Sequence, residues 1–490
     1  MELKRNPFSK RTSEQELDFL NEIFFEPNYY QTLKQDLIEG DSRFIIGQRG
    51  HGKSSIINKL LEDLNDSNIM AIKIDRYDDI SVQENEAELI TLIIKKITQK
   101  IAIFLDVNKG NVKKLNVVEK EKLALLIRIF FTTISNSEYI NIYNNVHKVK
   151  TKNKLIRFFN KYLLKPTNSI ASTSVAITSS LIRDSLGLQG VESKNIYKEF
   201  FGEIKEVDFD KIQIESKKYS KDELKYFLDE LLLISKKIGF KSTVVLFDKI
   251  DEFQQLDQDV NKIAAFTKEI LTDTELLLNN NLAIGFTLWS EVKAELGKKV
   301  RFDKFESIDI SWKEIDMEPL INKRIKYFSI DKEFSLKDLI KNKNDRSEVI
   351  KISNNSPREL ISVLNAIYNE QSNKNQLISF FESESISKGL INFSSNFNYD
   401  SIYPSKVGKN KDIKTMINRL LRVRLTRFAI KDLTKAFNQR TAQSDGQIKL
   451  MLQYKLIRID EVFGNNNIRY YDVIDPKVIF LIRRGITRID

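Results

Sequence analysis

The chain reads as an α/β protein built on a parallel sheet, with a helical insertion, a helical lid and a C-terminal winged helix. Three observations predict this. Short β-rich apolar runs alternate with stretches of helical periodicity, the signature of βα units in a parallel sheet. The first of those runs passes straight into glycine-rich sequence and then into a helix. The end of the chain gives three short helices followed by two strands, the order of a winged helix-turn-helix.

Taken in order, residues 1–40 form an N-terminal helical lead, with helical patterns over Glu14–Phe25 and Tyr29–Ile38. The core, 41–312, has strands at 41–46, 69–74, 243–247, 282–286 and 307–310. Lys53 and Asp248 stand much further apart than the roughly 60 to 90 residues that two or three βα units need, so something is inserted. That insertion spans 107–220 and is mostly helical in pattern (Lys120–Ser135, Lys152–Leu164), with a Ser/Thr-rich run, Ser169–Ser180, that reads as a strand or a hairpin. A helical lid over 313–391 follows, clearest at Glu314–Phe328, Pro357–Asn369 and Gln376–Leu390. Residues 392–411, rich in Ser, Asn, Tyr, Gly and Lys, read as a linker. The winged-helix domain, 412–490, has helices at 412–421, 427–437 and 444–454, and strands at 456–462 and 468–474.

Composition narrows the function. The chain has 490 residues, of which 41% are hydrophobic, so each domain has material for a core. No run approaches the roughly 18 apolar residues of a membrane span, and the first residues lack the apolar stretch of a signal peptide; a cytoplasmic protein is expected. With no cysteine and two histidines, disulfides and thiolate zinc sites are excluded, and any metal should be a hard, oxygen-bound ion. The net charge of +11 is localised: residues 405–490 carry 19 Lys and Arg against 8 Asp and Glu, while the preceding residues carry 60 of each. Clustered cations gain affinity by displacing counterions from nucleic-acid phosphates; a solubilising basic face is the alternative. Abundant Lys, Asn and Ile point to an AT-rich, bacterial genome.

Gly47-Gln48-Arg49-Gly50-His51-Gly52-Lys53-Ser54 fits G-x-x-x-x-G-K-[ST], between a strand and the helical run from Ser55. In such a loop the glycines turn backbone N–H groups toward phosphates, the lysine reaches the β and γ oxygens, and the serine ligates magnesium. ATP with Mg2+ is therefore the expected ligand. Thr243–Asp248 is a buried-strand pattern ending in a carboxylate suited to holding that magnesium, and either Asp251 or Glu252 could orient an attacking water.

With these motifs the sequence resembles the AAA+ group of P-loop ATPases, and within it the origin-recognition initiators and their bacterial relatives. The resemblance rests on Asn6-Pro7-Phe8, the loop Gly47–Ser54, the strand ending in Asp248, and Ser356-Pro357-Arg358-Glu359-Leu360. It implies that Arg358 contacts the γ-phosphate from the lid, that Thr287 is a first sensor just beyond the fourth strand, and that Arg301 is an arginine finger toward a neighbouring subunit. The chain departs from the pattern at Lys249, where the group carries a catalytic glutamate. In the tail, Arg419, Arg422, Arg424, Arg427, Lys431, Lys435, Lys449, Lys455, Arg458 and Arg469 are suited to backbone phosphates of double-stranded DNA, while Gln447 and Gln453 could face bases or solvent. Two functions follow: an ATPase that couples nucleotide state to DNA binding or to assembly with further copies, or a signalling switch of a bacterial conflict system acting through partner proteins.

Overall fold

A computed structural model of the chain describes residues 3–130, 134–135, 174–175, 186, 219–297, 299–302, 304–375, 379–403, 413–460 and 468–489. At its centre five parallel strands, β1 (Arg43–Gly47), β2 (Met70–Ile74), β3 (Thr243–Phe247), β4 (Leu282–Trp289) and β5 (Ser307–Ile310), lie in the order β2-β3-β4-β1-β5. Successive strand residues point to opposite faces. Met70, Ile72, Ile74, Val245 and Phe247 therefore enter one core, and Ala71, Val244 and Leu246 the other. Burial on both faces explains why Thr243–Phe247 is a continuous apolar run. β4 runs three residues past the expected end, to Trp289.

Helices cover both faces. On one side lie α1 (Tyr30–Glu39) and α2 (Lys53–Asp66); on the other lie α3 (Glu86–Val107), α4 (Val117–Phe130), α5 (Lys221–Ile238) and α6 (Val260–Thr272). The described helix of the insertion, α4, shares the sheet's own core, since Leu123 and Leu126 cluster with Ile72 and Val245, and α5, which follows the insertion, adds Leu224 and Phe227. Ser174–Val175, inside the Ser/Thr-rich run, pairs antiparallel with Ile134–Ser135. The helix expected at Lys152–Leu164 lies outside the described residues.

The N-terminal lead differs from expectation. In place of a helix over Glu14–Phe25 it makes 3-10 turns at Ser13–Gln15 and Leu17–Phe19 and a single helical turn at Leu20–Ile23. Tertiary bonds outweigh local periodicity here: the Arg324 guanidinium donates to the carbonyls of Pro7 and Lys10 and to the Glu16 carboxylate, while Phe8 is buried in the lid core. Residues 3–16 are thus strapped across the lid.

The lid is made of α8 (Glu314–Phe328), α9 (Lys343–Ile352), α10 (Pro357–Lys374) and α11 (Ser383–Ser395), with α7 (Ser290–Leu296) preceding β5. Of the helix expected over Gln376–Leu390, residues 376–378 lie outside the described residues; Phe381 is drawn into the core, its N–H donating to the Leu339 carbonyl at 2.7 Å, and the helix begins at Ser383. The expected linker is also corrected over its described part, 392–403, while 404–411 lie outside the described residues. α11 continues to Ser395, and Tyr399 is fully buried with its hydroxyl donating to the Ser394 carbonyl. Aromatic side chains (Phe393, Phe397, Tyr399) meet edge to face within this Ser/Asn-rich stretch and pack it down.

The tail contains α12 (Ile413–Val423), β6 (Arg427–Ala429), α13 (Ile430–Phe437), α14 (Thr441–Gln453), β7 (Ile457–Ile459), β8 (Tyr470–Val473) and α15 (Pro476–Arg483). Residues 427–429, expected to be helical, pair instead with β8, and the antiparallel sheet runs β6-β8-β7. The last helix was not expected, although Asp475-Pro476 supplies a helix cap and a first-turn proline. Lid and tail share one hydrophobic core, in which Leu360, Leu364 and Leu390 meet Leu420, Val478 and Leu481.

Candidate nucleotide-binding site

The phosphate loop bridges the end of β1 and the start of α2. Gly50 and Gly52 take φ of 83° and 91°, the left-handed region that side chains disfavour. At Gly50 the need is twofold, since a Cβ there would sit 2.6 Å from Ser356 Oγ. Lys53 is buried, and its Nζ donates to the carbonyls of Gly47 (2.9 Å) and Gln48 (3.2 Å). Burial pushes its pKa down, against the pull of Asp251 and Asp248. Because β4 lies between β1 and β3, its Thr287 reaches the carboxylate at the end of β3. Ser54 Oγ and Thr287 Oγ1 both donate to Asp248 Oδ1, at 3.1 and 3.4 Å. Thr287 is thus a buried residue inside β4, in register with Ile45, where the sequence suggested a position beyond the strand.

Asp248 Oδ2 is buried without a hydrogen bond, with Lys73 Nζ at 3.5 Å. An orphaned carboxylate oxygen beside a serine hydroxyl is a hard donor set that fits magnesium. No group of three or more His, Cys, Asp or Glu suited to a metal occurs among the described residues, so phosphate and water oxygens would complete the shell, as Mg2+ prefers.

Beyond Asp248 the chain turns sharply. Lys249 adopts φ 61°, and a 3-10 turn follows at Ile250–Glu252. This turn separates the two candidate bases. Arg49 Nε bonds Asp251 Oδ2 at 2.8 Å, its Nη2 bonds the Asp251 carbonyl at 3.0 Å, and its guanidinium lies 4.4 Å from the Trp289 ring centre. That clamp holds one oxygen of the Asp251 carboxylate, Oδ2, while Asp251 still lines the cleft. Glu252 lines the cleft, and burial together with the Asp251 charge raises its pKa, the direction a proton acceptor needs. Lys249 turns away to Glu14 of the strap, 2.6 Å distant.

The cleft, of about 340 Å³, is walled by Gly50, Gly52, Lys53, Ser54 and Ser55 of the loop and the helix it opens, Asp248, Lys249, Asp251 and Glu252 after β3, Arg11 and Ser13 of the strap, and Arg358 of the lid. Arg358 sits in the first turn of α10, its N–H donating to the Gly50 carbonyl at 3.3 Å. Its positive charge acts on both Lys53 and Glu252. Two loop residues serve attachment rather than lining: Gln48 accepts from Trp289 Nε1, and His51 accepts from Trp312 Nε1 through its carbonyl. Arg301 is exposed on the loop before β5 and does not line the cleft.

No protein-family model and no curated protein matches the chain. Among solved structures it is similar to the ORC1 protein of Aeropyrum pernix in complex with DNA, covering 94% of this chain and 93% of that one at 7% identity and a TM-score of 0.35. It is also similar to Drosophila ORC bound to DNA, covering 98% and 90% at 7% identity and a TM-score of 0.30. No described helix is long and apolar enough to cross a membrane.

Sequence reasoning missed Arg11, Ser13, Glu14 and Lys73. Arg11 and Ser13 precede the Glu14–Phe25 stretch read as helical, and Glu14 opens it; nothing local marks any of the three as a cleft wall. Lys73 did leave a signal, as the single charge in the otherwise apolar strand Met70–Ile74.

In the tail, Arg427, Lys449, Lys455 and Arg458 pair with Asp460, Asp445, Glu291 and Asp472. Arg419 and Arg422 lie over the Phe437 ring. Arg424, Lys431, Lys435 and Arg469 are exposed. Gln447 is buried and exchanges hydrogen bonds with Gln439, so it faces neither bases nor solvent; Gln453 is exposed.

Proposed function

We propose that the chain binds ATP with Mg2+ and hydrolyses it as an AAA+ ATPase, and that nucleotide state governs its grip on double-stranded DNA through the tail. The observation that carries this reading is the convergence of Lys53, Ser54, Asp248, Glu252 and Arg358 on one cleft. Lys53 and Arg358 would hold the γ-phosphate oxygens from the loop and the lid. A water on Glu252 gives up its proton to that carboxylate as it attacks the γ-phosphorus, and the bond to the β-phosphate oxygen breaks to release ADP. Ser54 and Asp248 would hold magnesium, which would supply charge neutralisation to the phosphates.

Single-turnover hydrolysis tests the assignment. Glu252→Gln should slow cleavage by about 100-fold or more while leaving ATP affinity intact. Asp251→Asn should instead weaken ATP binding, because it releases Arg49. The reverse pattern would transfer the base role to Asp251.

For the DNA half, the support is the tail's helix-strand-helix-helix-strand-strand order, which agrees with a winged helix, and the exposed cations of α13 and β8's approach. The exposure of Arg301 agrees with a finger offered to a neighbouring copy. A second reading, a nucleotide-held signalling switch acting through partner proteins, is favoured by Lys249 standing where a glutamate is expected and by its ion pair with Glu14 across the cleft mouth.

A further inference from the structure

Lys477 in the tail carries a fully buried charge, its side chain 0% exposed. Its Nζ lies 2.8 Å from Glu359 Oε2 and 3.5 Å from Asp475 Oδ2, and 4.5 Å from the centre of the Phe397 ring. Asp475 is itself fixed three ways: it caps α15 by accepting from the N–H groups of Lys477 and Val478, and it accepts from the Tyr403 hydroxyl at 2.8 Å. A charge this buried persists only when its partners are held in place. Glu359 is the residue after Arg358, in the first turn of α10, and its N–H donates to the capping Ser356 Oγ. That same turn rests on the phosphate loop, through the Arg358 N–H to the Gly50 carbonyl and the close approach of Ser356 to Gly50.

We propose that Lys477 is a positioning residue for the nucleotide site: through Glu359 it fixes the first turn of α10 and so aims Arg358 at the terminal phosphate, coupling the tail rigidly to nucleotide recognition. A second tail contact converges on the same loop. Lys455 pairs with Glu291 at 2.8 Å, and Glu291 accepts from Gln48 of the loop at 3.4 Å. Lys455 is 68% exposed, so this contact is the weaker of the two. Lys477 is the link that carries the coupling.

The inference rests on the ATP-site reading, and its test separates the two. Equilibrium titration of the full chain with ATP and with ADP gives the preference for ATP that an Arg358 contact confers. Arg358→Ala should abolish that preference. Lys477→Met should reduce it by about tenfold with ADP affinity little changed. In the Arg358→Ala background, Lys477→Met should add nothing, because both act through one guanidinium. Should Lys477→Met melt too low to titrate, Lys477→Met with Glu359→Gln removes both charges and carries the same expectation. Additive losses, an unchanged preference in the Lys477 variants, or equal weakening of ATP and ADP would overturn the proposal and leave a merely structural ion pair. No preference in the parent chain would overturn it while leaving nucleotide binding intact. Failure to bind either nucleotide would overturn both.

Discussion

Arg49 treats the two neighbouring carboxylates of the cleft differently, holding Asp251 through Oδ2. Its planar fork takes the side chain and the carbonyl of Asp251, bonds Gln258, and stacks on Trp289, a geometry that lysine cannot reproduce. Glu252 is left facing the cleft. The neighbouring Glu14–Lys249 pair acts on access instead. Burial alone would raise the Glu14 pKa, but the hydrogen bond and charge of Lys249 overcome it and hold the carboxyl at about 2 against an ordinary 4.5. A depressed carboxylate stabilises the fold above its ordinary value and loses that contribution as pH falls through the lowered one. The pair is therefore intact at neutral pH and fails between 4.5 and about 2. Glu14 is 41% exposed, so solvent screening keeps its effect small. Glu14→Gln should speed release of a fluorescent ADP at pH 7 by up to about fivefold, measured by stopped-flow displacement. It should also flatten the acid limb of the thermal-stability profile. Release at the parent rate would mean that the strap does not gate the cleft.

At the scale of elements, the tail's α13 presents Lys431 and Lys435 one turn apart on an exposed face. If that face meets DNA phosphates, Lys431→Ala with Lys435→Ala should lower the slope of log affinity against log salt by about 2 while affecting all sequences alike. Titrations with labelled duplex DNA at several salt concentrations measure this, and an unchanged slope would assign the contact elsewhere. Surface substitutions suit the question better than deletion, because removing the tail would strip the lid of a shared core. Where local signals were strong, the sequence was legible. β3, β5 and α8 begin and end where the apolar runs and helical spacing predict. The phosphate loop could be read because glycine, lysine and serine at fixed spacing have one chemical purpose. What escaped was set by distant partners. Arg427–Ala429 has helical neighbours, and only pairing with Tyr470–Asp472 makes it a strand. The strap lost its helix to Arg324, far along the chain. The supposed linker concealed aromatic residues that pack into the lid. The Asp251 clamp depends on a loop and a strand that meet only in the fold.

Among the described residues, three large cores divide the labour. Two cover the faces of the sheet, one of them together with the insertion helix α4; the third holds lid and tail together, with the cleft along the seam between sheet and lid. The strap crosses that seam, and Arg358 projects from the lid side toward Lys53 on the sheet side. Breaking a buried pair such as Glu359–Lys477 from one side costs about 3–5 kcal/mol, so lid and tail should move as one body when the cleft closes. A change at the terminal phosphate would then reach the tail's basic face without a flexible intermediary.

Phosphate release from ATP by the full chain, with and without duplex DNA and beside Lys53→Ala, tests the central claim most directly. The account predicts turnover that DNA alters and that Lys53→Ala abolishes. Turnover that survives Lys53→Ala, or no ATP binding by the parent chain, would contradict it.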